Sequence, residues 1–220
     1  MNIIIIGGGR KFGRHASEEF IKKGHNVFVM SHTQYENMLP NHVAADFSNT
    51  EDVLAKFNLL CASIDTIDVF LYLTRWVEPY SYQDQADMFT SSNNIVDTEA
   101  EWVHATRFST AIPHRLILQA LPKMDSTSRI IFLTSGLSLT WNNDPAHVRY
   151  AMYAAAKAAQ NFLMKALAHH NGKNAIVCSI STHFPLQEDD PEGYVIRAND
   201  IVDLISTTNL SHNGQVVEFY

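Results

Sequence analysis

The sequence contains little cysteine and no excess of positive charge. Its only two cysteines among 220 residues, Cys61 and Cys178, lie far apart and form no C-x-x-C pair. We therefore expect neither a disulfide framework nor a zinc site, and we predict a protein of the reducing cytoplasm. The formal net charge of -7 disfavours nucleic acid and anionic membranes as partners, because both are bound through clustered lysine and arginine. A small-molecule partner is expected instead.

Long hydrophobic runs and metal-ligand patterns are also lacking. No stretch reaches the roughly 20 apolar residues of a membrane span, and the apolar run at residues 1–6 is too short for a signal peptide and lacks a basic leader. The eleven histidines form no His-x-x-x-His pair with a carboxylate in helical register, so no metal site is predicted. With 46% hydrophobic and 18% charged residues, the chain is expected to form one packed domain spanning residues 1–220.

Short apolar runs alternate along the chain with longer segments of helical spacing. The runs predict seven buried strands: Ile3–Ile6, Val27–Met30, Val43–Ala45, Ile67–Leu73, Ile130–Leu133, Ala175–Ile180 and Val216–Phe219. The longer segments predict five helices: His15–Lys23, Glu51–Cys61, Trp102–Leu121, Tyr150–His169 and Asn199–Ile205. This alternation predicts an α/β fold, doubly wound, with a central parallel sheet of about seven strands flanked by helices.

Two loops interrupt the regular pattern, at residues 141–149 and 184–197. Both follow predicted strands, and loops at the carboxyl ends of parallel strands border the ligand crevice of such folds. They are therefore candidates for a substrate rim, although the acidic run at 188–192 equally fits a solvated surface loop. The aromatic residues considered for an apolar substrate pocket are Trp76, Trp102, Trp141, Phe184 and Tyr194, of which Trp102 better fits the core or an interface.

A glycine-rich turn, Gly-Gly-Gly-Arg-Lys-Phe-Gly, joins the first predicted strand to the first predicted helix. Glycines let the backbone approach a pyrophosphate closely, and the free N–H groups of a helix start attract negative charge, so the turn predicts dinucleotide binding. A phosphate-binding P-loop is disfavoured because no Gly-Lys-Ser/Thr ending is present, and a glycine turn without a ligand is the alternative. The predicted cofactor-binding residues here are Gly7, Gly9, Arg10, Lys11, Phe12 and Gly13.

The second predicted strand ends without the acidic residue that usually binds the ribose hydroxyls of NAD. Ser31 and His32 stand there instead, and together with Arg10 they would accommodate a 2′-phosphate through charge-assisted hydrogen bonds. We therefore predict NADP as the cofactor, with NAD as the alternative. His32 equally fits an exposed residue at a strand end.

Tyr153 and Lys157 are spaced four apart in an alanine-rich helical segment, so their side chains lie on the same helix face. An ammonium near a phenol favours the phenolate, which lowers the tyrosine pKa and makes it usable as an acid and a base. Hydride transfer to a carbonyl requires a proton for the developing alkoxide. Ser135, at the end of the fifth predicted strand, is placed to stabilise that oxygen, with a serine that merely starts a turn as its alternative interpretation.

Together these segments resemble the short-chain dehydrogenase/reductase superfamily across essentially the whole chain. The matching positions are Gly7, Lys11 and Gly13 for the glycine motif, Asp46 for the strand-ending acid, Ser135 for the serine, Tyr153 and Lys157 for the Tyr-x-x-x-Lys motif, and residues 213–218 for the last strand. The resemblance implies a Rossmann-type fold and a homo-dimer or homo-tetramer.

The resemblance also implies a role for each matching residue. Tyr153 would be the general acid/base, Lys157 would hold the nicotinamide ribose and lower the tyrosine pKa, and Ser135 would bind the substrate oxygen. Asp46 and Phe47 would lie against the adenine.

The sequence departs from the family pattern in four places. Lys11 replaces the middle glycine, and Tyr-Leu-Thr-Arg at 72–75 replaces Asn-Asn-Ala-Gly. Ser109 stands where the family has an asparagine that supports a proton relay, and Thr182 with the residue after it replaces Pro-Gly. On this alignment Leu73, Thr74 and Thr182 are predicted to contact the cofactor and Ser109 to belong to the catalytic set.

The sequence therefore predicts an NAD(P)-dependent oxidoreductase that transfers hydride between NADP(H) and a small carbonyl or alcohol. The alternative is a catalytically silent NAD(P)-binding redox sensor or regulator, which the altered turn at 72–75 and Ser109 favour. A nucleotide-sugar epimerase of the extended branch would need a larger C-terminal substrate domain than 220 residues allow.

Overall fold

The computed structural model describes residues 1–9, 11–32, 39–74, 99–139, 151–170, 175–182, 199–205, 207 and 209–219. Some of the sequence predictions concern residues outside these ranges. They are those for Arg10, for Trp76 and for the two rim loops at 141–149 and 184–197, with the aromatic residues in those loops.

Seven parallel strands form a single sheet. They are β1 (Asn2–Ile6), β2 (Asn26–Ser31), β3 (His42–Ala44), β4 (Val69–Tyr72), β5 (Arg129–Ser135), β6 (Ile176–Thr182) and β7 (Val216–Phe219), in the spatial order β3-β2-β1-β4-β5-β6-β7. Residues 3–6 of β1 are fully buried, since helices cover both faces of a parallel sheet and the strand therefore consists of a continuous isoleucine run. The predicted doubly wound fold and its seven strands are confirmed.

Helices connect the strands. They are α1 (Lys11–Lys22), α2 (Thr50–Ala62), α3 (Glu99–Thr106), α4 (Ile112–Ala120), α5 (Ala151–His170) and α6 (residues 199–205), with a π-helical turn at Arg107–Ala111 between α3 and α4. At the start of α2, the Asn49 side chain accepts hydrogen bonds from the backbone N–H groups of Glu51 and Asp52. None of the helices in the described ranges is long and apolar enough to cross a membrane.

Two helix predictions need correction. The first helix begins at Lys11 rather than at the predicted His15, because Gly13 and its neighbours form the first helical turn instead of a separate loop. The predicted single helix over Trp102–Leu121 is interrupted by the π-helical turn, where Ile112 N donates to Arg107 O, five residues back.

Two apolar clusters lie on opposite faces of the sheet. Ile4 and Ile6 of β1 face α2, α4 and α5, whereas Ile3 and Ile5 face α1 and α6. This alternation follows from the two-residue period of a strand, and it fixes the register of the strand between its two helix layers. With both faces covered, a ligand can reach the sheet only along the edges where the strands begin and end.

Candidate active site

The strand order reverses beside β1, where the chain runs outward through β2 and β3 and then returns to β4 on the other side. Connections leave the carboxyl ends of β1 and β4 in opposite directions, which opens a crevice at that edge. Leu73, just after β4, donates its backbone N–H to Ile6 O at 2.8 Å, and Gly7 N donates to Met30 O at 2.7 Å. The crevice therefore begins at the glycine turn.

The glycine turn requires glycine at three positions. Gly7 has φ of +91°, and a Cβ there would lie 3.0 Å from Thr74 N. A Cβ on Gly8 would lie 2.8 Å from Ser17 Oγ, and one on Gly13 would overlap the Gly7 carbonyl oxygen. These distances show that the turn packs tightly between α1 and the end of β4. Its close approach to a pyrophosphate stays a prediction.

The first turn of α1 contains Lys11, Phe12 and Gly13. Backbone N–H groups of a first helical turn have no partner within the helix and attract anions. The Phe12 ring is buried in the core, so a cofactor contact by this residue would involve its backbone. Ser17, one turn later, donates to Gly13 O at 2.8 Å and also contacts Gly8 O at 3.3 Å, which fixes the turn to the helix.

At the end of β2, Ser31 is buried and its Oγ lies 2.7 Å from His42 Nε2. Burial, with a smaller effect from Arg14, lowers the pKa of His42, so a neutral imidazole faces this hydroxyl at neutral pH. His32 is exposed, and its Nδ1 lies 3.9 Å from Asp46 Oδ1. Contacts of Ser31 and His32 with a cofactor phosphate stay a prediction.

The loop after β3 is tied to the π-helical turn. Asp46 Oδ1 accepts from Ser48 Oγ at 2.6 Å and from Ser48 N at 2.9 Å, and these bonds lower the pKa of its carboxyl. The Phe47 ring is buried and stacks on Phe108, with ring centroids 5.9 Å apart. Arg107 Nη2 donates to Phe47 O and to Ser48 O, both at 2.7 Å. Because the Phe47 ring is buried, the predicted adenine contact would involve the Phe47 backbone and Asp46.

Ser135 ends β5, next to Thr182 of β6 in the parallel register. The turn that follows is held by Ser138, whose Oγ donates to Ser135 O at 2.6 Å. Ser138 Oγ also accepts a hydrogen bond from Asn161 Nδ2 at 2.9 Å and lies 3.0 Å from Thr134 Oγ1. Because Asn161 belongs to α5, this network connects the turn after Ser135 to the helix that contains the tyrosine and the lysine.

Lys157 is 2% exposed, and its ammonium lies between the ends of β4 and β5. Nζ donates to Leu133 O at 2.8 Å, to Gln160 Oε1 at 3.1 Å and to Thr74 O at 3.3 Å. Tyr153 is half-buried and lies one turn earlier on α5, on the same face. The structure thus places a buried cation beside Thr74, whose backbone also borders the glycine turn.

Ser109 is buried in the middle of the π-helical turn, which packs against α5. The turn is also fixed to the sheet, since Tyr72 OH donates to Phe108 O at 2.5 Å. Burial raises the pKa of Tyr72, so this phenol stays protonated as a donor. Single π-helical turns within α-helices occur frequently at functional sites. A catalytic role for Ser109 stays a prediction.

No protein-family model matches the sequence, and no curated protein sequence matches it either. Solved structures do match over 99% of this chain. A short-chain dehydrogenase/reductase of Serratia marcescens, solved as a double mutant, matches with a TM-score of 0.76 and 13% identity over 95% of its chain. A glucose/ribitol dehydrogenase of the same class from Brucella melitensis matches with a TM-score of 0.72 and 17% identity over 94% of its chain. A short-chain dehydrogenase of Burkholderia cenocepacia J2315, solved with NADP, matches with a TM-score of 0.73 and 14% identity over 96% of its chain.

The chain has the short-chain dehydrogenase/reductase fold. Within it, four of the predicted groups lie at the carboxyl edge of the sheet: the glycine turn, the end of β4 with Leu73 and Thr74, Ser135 beside Thr182, and the helix with Tyr153 and Lys157. A hydrogen bond from the Lys157 ammonium to Thr74 O joins the helix with Tyr153 and Lys157 to the end of β4. In the described part of the chain, no three His, Cys, Asp or Glu residues are grouped as a metal site.

Four polar residues that the sequence analysis did not single out contact residues of the candidate site. Ser17 is four residues after Gly13 on α1, and Gln160 and Asn161 are three and four residues after Lys157 on α5. Helical spacing could have placed them on the functional faces. His42 gave no such signal, because its contact with Ser31 arises from the pairing of β2 with β3.

Proposed function

We propose that this chain is an NAD(P)-dependent oxidoreductase of the short-chain dehydrogenase/reductase superfamily, and that residues 1–220 form one domain with both the cofactor and the substrate sites. Its reaction is hydride transfer between NADP(H) and a small carbonyl or alcohol. The observation that carries the proposal is the buried Lys157 ammonium, held at the crevice one helical turn from Tyr153.

The residues at the crevice fit a nicotinamide dinucleotide. A Cβ on Gly7 or Gly13 would occupy the space in which the turn packs, and the start of α1 offers backbone N–H groups to a pyrophosphate. The absence of an acid at the end of β2 supports NADP over NAD, with Arg10, Ser31 and His32 as the residues for a 2′-phosphate. The Burkholderia cenocepacia structure was solved with NADP, which supports the same cofactor class.

Acid/base chemistry is assigned to the side chains of α5 and β5. Tyr153 donates a proton to the substrate oxygen in reduction and accepts it in oxidation. The Lys157 ammonium favours the phenolate form of Tyr153 through its positive charge. Ser135 donates a hydrogen bond to the same substrate oxygen as negative charge develops there. When bound, NADPH would supply the hydride in reduction, and NADP+ would accept it in oxidation. Ser109 takes the position of the relay asparagine.

Cofactor binding is tested first, by fluorescence titration of the protein with NADPH and with NADH. We expect NADPH to bind more tightly, and binding of neither would refute the proposal. A panel of carbonyl compounds then identifies a substrate. With that substrate, Tyr153→Phe should lower kcat about 10²–10⁴-fold, the usual contribution of a positioned acid/base, while NADPH affinity stays unchanged. Equal turnover by the variant would refute the mechanism.

A second candidate function is an NAD(P)-binding sensor without chemistry. It is favoured by Lys157, whose ammonium already donates to three neutral protein acceptors, one of them Thr74 O in the turn that departs from the family pattern. A sensor would bind a nicotinamide dinucleotide but turn over no carbonyl in the panel.

A further inference from the structure

The face of α5 that is buried against the sheet changes character along the helix. Toward the C-terminus it is apolar, with Met164, Leu167 and Ala168 in the core beside Val177. Toward the N-terminus it contains Lys157, Gln160 and Asn161, all buried. Burying an amide costs free energy unless the amide is hydrogen-bonded. If these positions only had to fill space, leucine or methionine would be more stable there.

Gln160 is 0% exposed, and its orientation is fixed by its neighbour. A lysine ammonium only donates hydrogen bonds, so the amide atom 3.1 Å from Lys157 Nζ must be the oxygen. The amide nitrogen then faces away from Lys157, and among the described residues it has no acceptor. The satisfied end of this buried amide is therefore the end that contacts the lysine.

Among the described residues, three acceptors of Lys157 come from three different parts of the fold. Thr74 O follows β4, Leu133 O belongs to β5, and Gln160 Oε1 belongs to α5 itself. Two of them are backbone carbonyls at the sheet, and only the third lies on the helix that contains Tyr153. Without the Gln160 acceptor, the ammonium would lose the hydrogen bond that links it to its own helix.

We propose that Gln160 is a positioning residue that fixes the Lys157 ammonium in its place between α5 and the ends of β4 and β5. The inference rests on the proposed function, in which Lys157 serves the nicotinamide ribose and Tyr153. Gln160 acts through Lys157 and touches neither cofactor nor substrate.

The test compares Gln160→Met, which keeps the side-chain length but removes the acceptor, with Gln119→Met. Gln119 is a suitable control because it lies on α4, is half-buried and likewise has an amide atom without a partner among the described residues. In protein labelled with ¹⁵N-lysine, a buried, hydrogen-bonded ammonium exchanges slowly and gives a resolved ¹H–¹⁵N signal, which is assigned through its loss in Lys157→Met.

We expect this signal to shift and its proton exchange with water to accelerate about tenfold in Gln160→Met, the factor for loss of one hydrogen bond to a charged group. Gln119→Met should leave it unchanged. With the substrate from the carbonyl panel, kcat should fall about tenfold while KM stays within about twofold, and the alkaline limb of the pH–rate profile should move. Gln160→Glu retains an acceptor and should restore the slow exchange.

Each outcome separates the inference from the proposed function. An unchanged Lys157 signal in Gln160→Met would overturn the inference, and so would a changed signal with unchanged kcat and pH profile, because that is a purely structural contact. If the wild-type protein bound neither NADPH nor NADH, the proposed function would fail, while the exchange measurement would still decide whether Gln160 holds Lys157. If Gln160→Met did not fold, loss of the slow exchange in Gln160→Glu would contradict the inference.

Discussion

Replacing Gly13 with alanine tests whether the glycine turn binds the cofactor through its close packing. A Cβ at this position would overlap the carbonyl oxygen of Gly7 and lie 3.0 Å from Gly8 Cα. Both contacts are backbone atoms, so neither can move aside as the end of a flexible side chain would. The turn must shift as a unit, away from the start of α1.

The stability cost of this change follows from two opposing effects. Overpacking costs about 1–3 kcal/mol, and alanine recovers up to about 1 kcal/mol over glycine within a helix. We therefore expect a net loss of about 0–2 kcal/mol, the difference between these two effects. Gly24→Ala is the matched control, because Gly24 has φ of +82° and a Cβ added there would have nothing within 4 Å. Its cost is conformational, about 1–2 kcal/mol for alanine in that region.

The two variants should therefore have similar stability but different affinity. Gly24 precedes β2, at the sheet edge opposite the crevice, so NADPH should bind Gly24→Ala as it binds the wild type. A displaced turn in Gly13→Ala would lose one or two N–H bonds to phosphate, which corresponds to about a ten- to hundredfold weaker Kd. Urea melts and NADPH fluorescence titrations measure the two quantities. Equal weakening in both variants, or none in Gly13→Ala, would refute the reasoning.

Three further predictions concern the thiols, the histidine beside Ser31 and the assembly. Burial raises the pKa of Cys61 to about 11 and that of Cys178 to about 12, so a thiol reagent at pH 8 should modify neither in the native protein and both after unfolding. Rapid labelling of the native protein would contradict this. Because the pKa of His42 is lowered by folding, its contribution to stability is present above the unfolded value of about 6.5 and is lost as pH falls below it. In urea melts, the free energy of unfolding should change less between pH 7.5 and pH 5.5 in His42→Asn than in the wild type. An identical change in both proteins would contradict this prediction. Phe162 on α5 is 75% exposed, so we expect it to lie in a subunit interface of a homo-dimer or homo-tetramer. Light scattering should show this oligomer for the wild type and a smaller species for Phe162→Glu. A monomeric wild type would contradict the prediction.

β1 and β4 were predictable because each is a short apolar run between turn residues, and burial on both faces leaves almost no polar position to obscure the pattern. The start of α1 was not, because glycine is a poor helix former, so Gly13 gives no helical signal in the sequence although it lies in the first turn. The π-helical turn was hidden for a different reason. Its extra residue has no distinctive side chain, and hydrophobic spacing on either side still indicates helix.

The helix α5 shows the same contrast within the candidate site. Tyr153 and Lys157 could be predicted because four-residue spacing and chemistry coincide. The supporting residues Gln160 and Asn161 share that face, yet a polar residue in an amphipathic helix is normally interpreted as exposed. Only the packing of α5 on the strands shows that both are buried.

The π-helical turn also has a consequence for comparing this chain with structures of the same fold. An i→i−5 bond accommodates one residue more than an α-helical turn, and one residue corresponds to a rotation of about 100°. An alignment to a chain whose middle helix is entirely α-helical must therefore place a gap within Arg107–Ala111, and Glu99–Thr106 then shifts by one position while Ile112–Ala120 stays in register. At identities of 13% to 17% such an insertion is hard to locate from the sequences, yet it decides which side chains of α3 face α5.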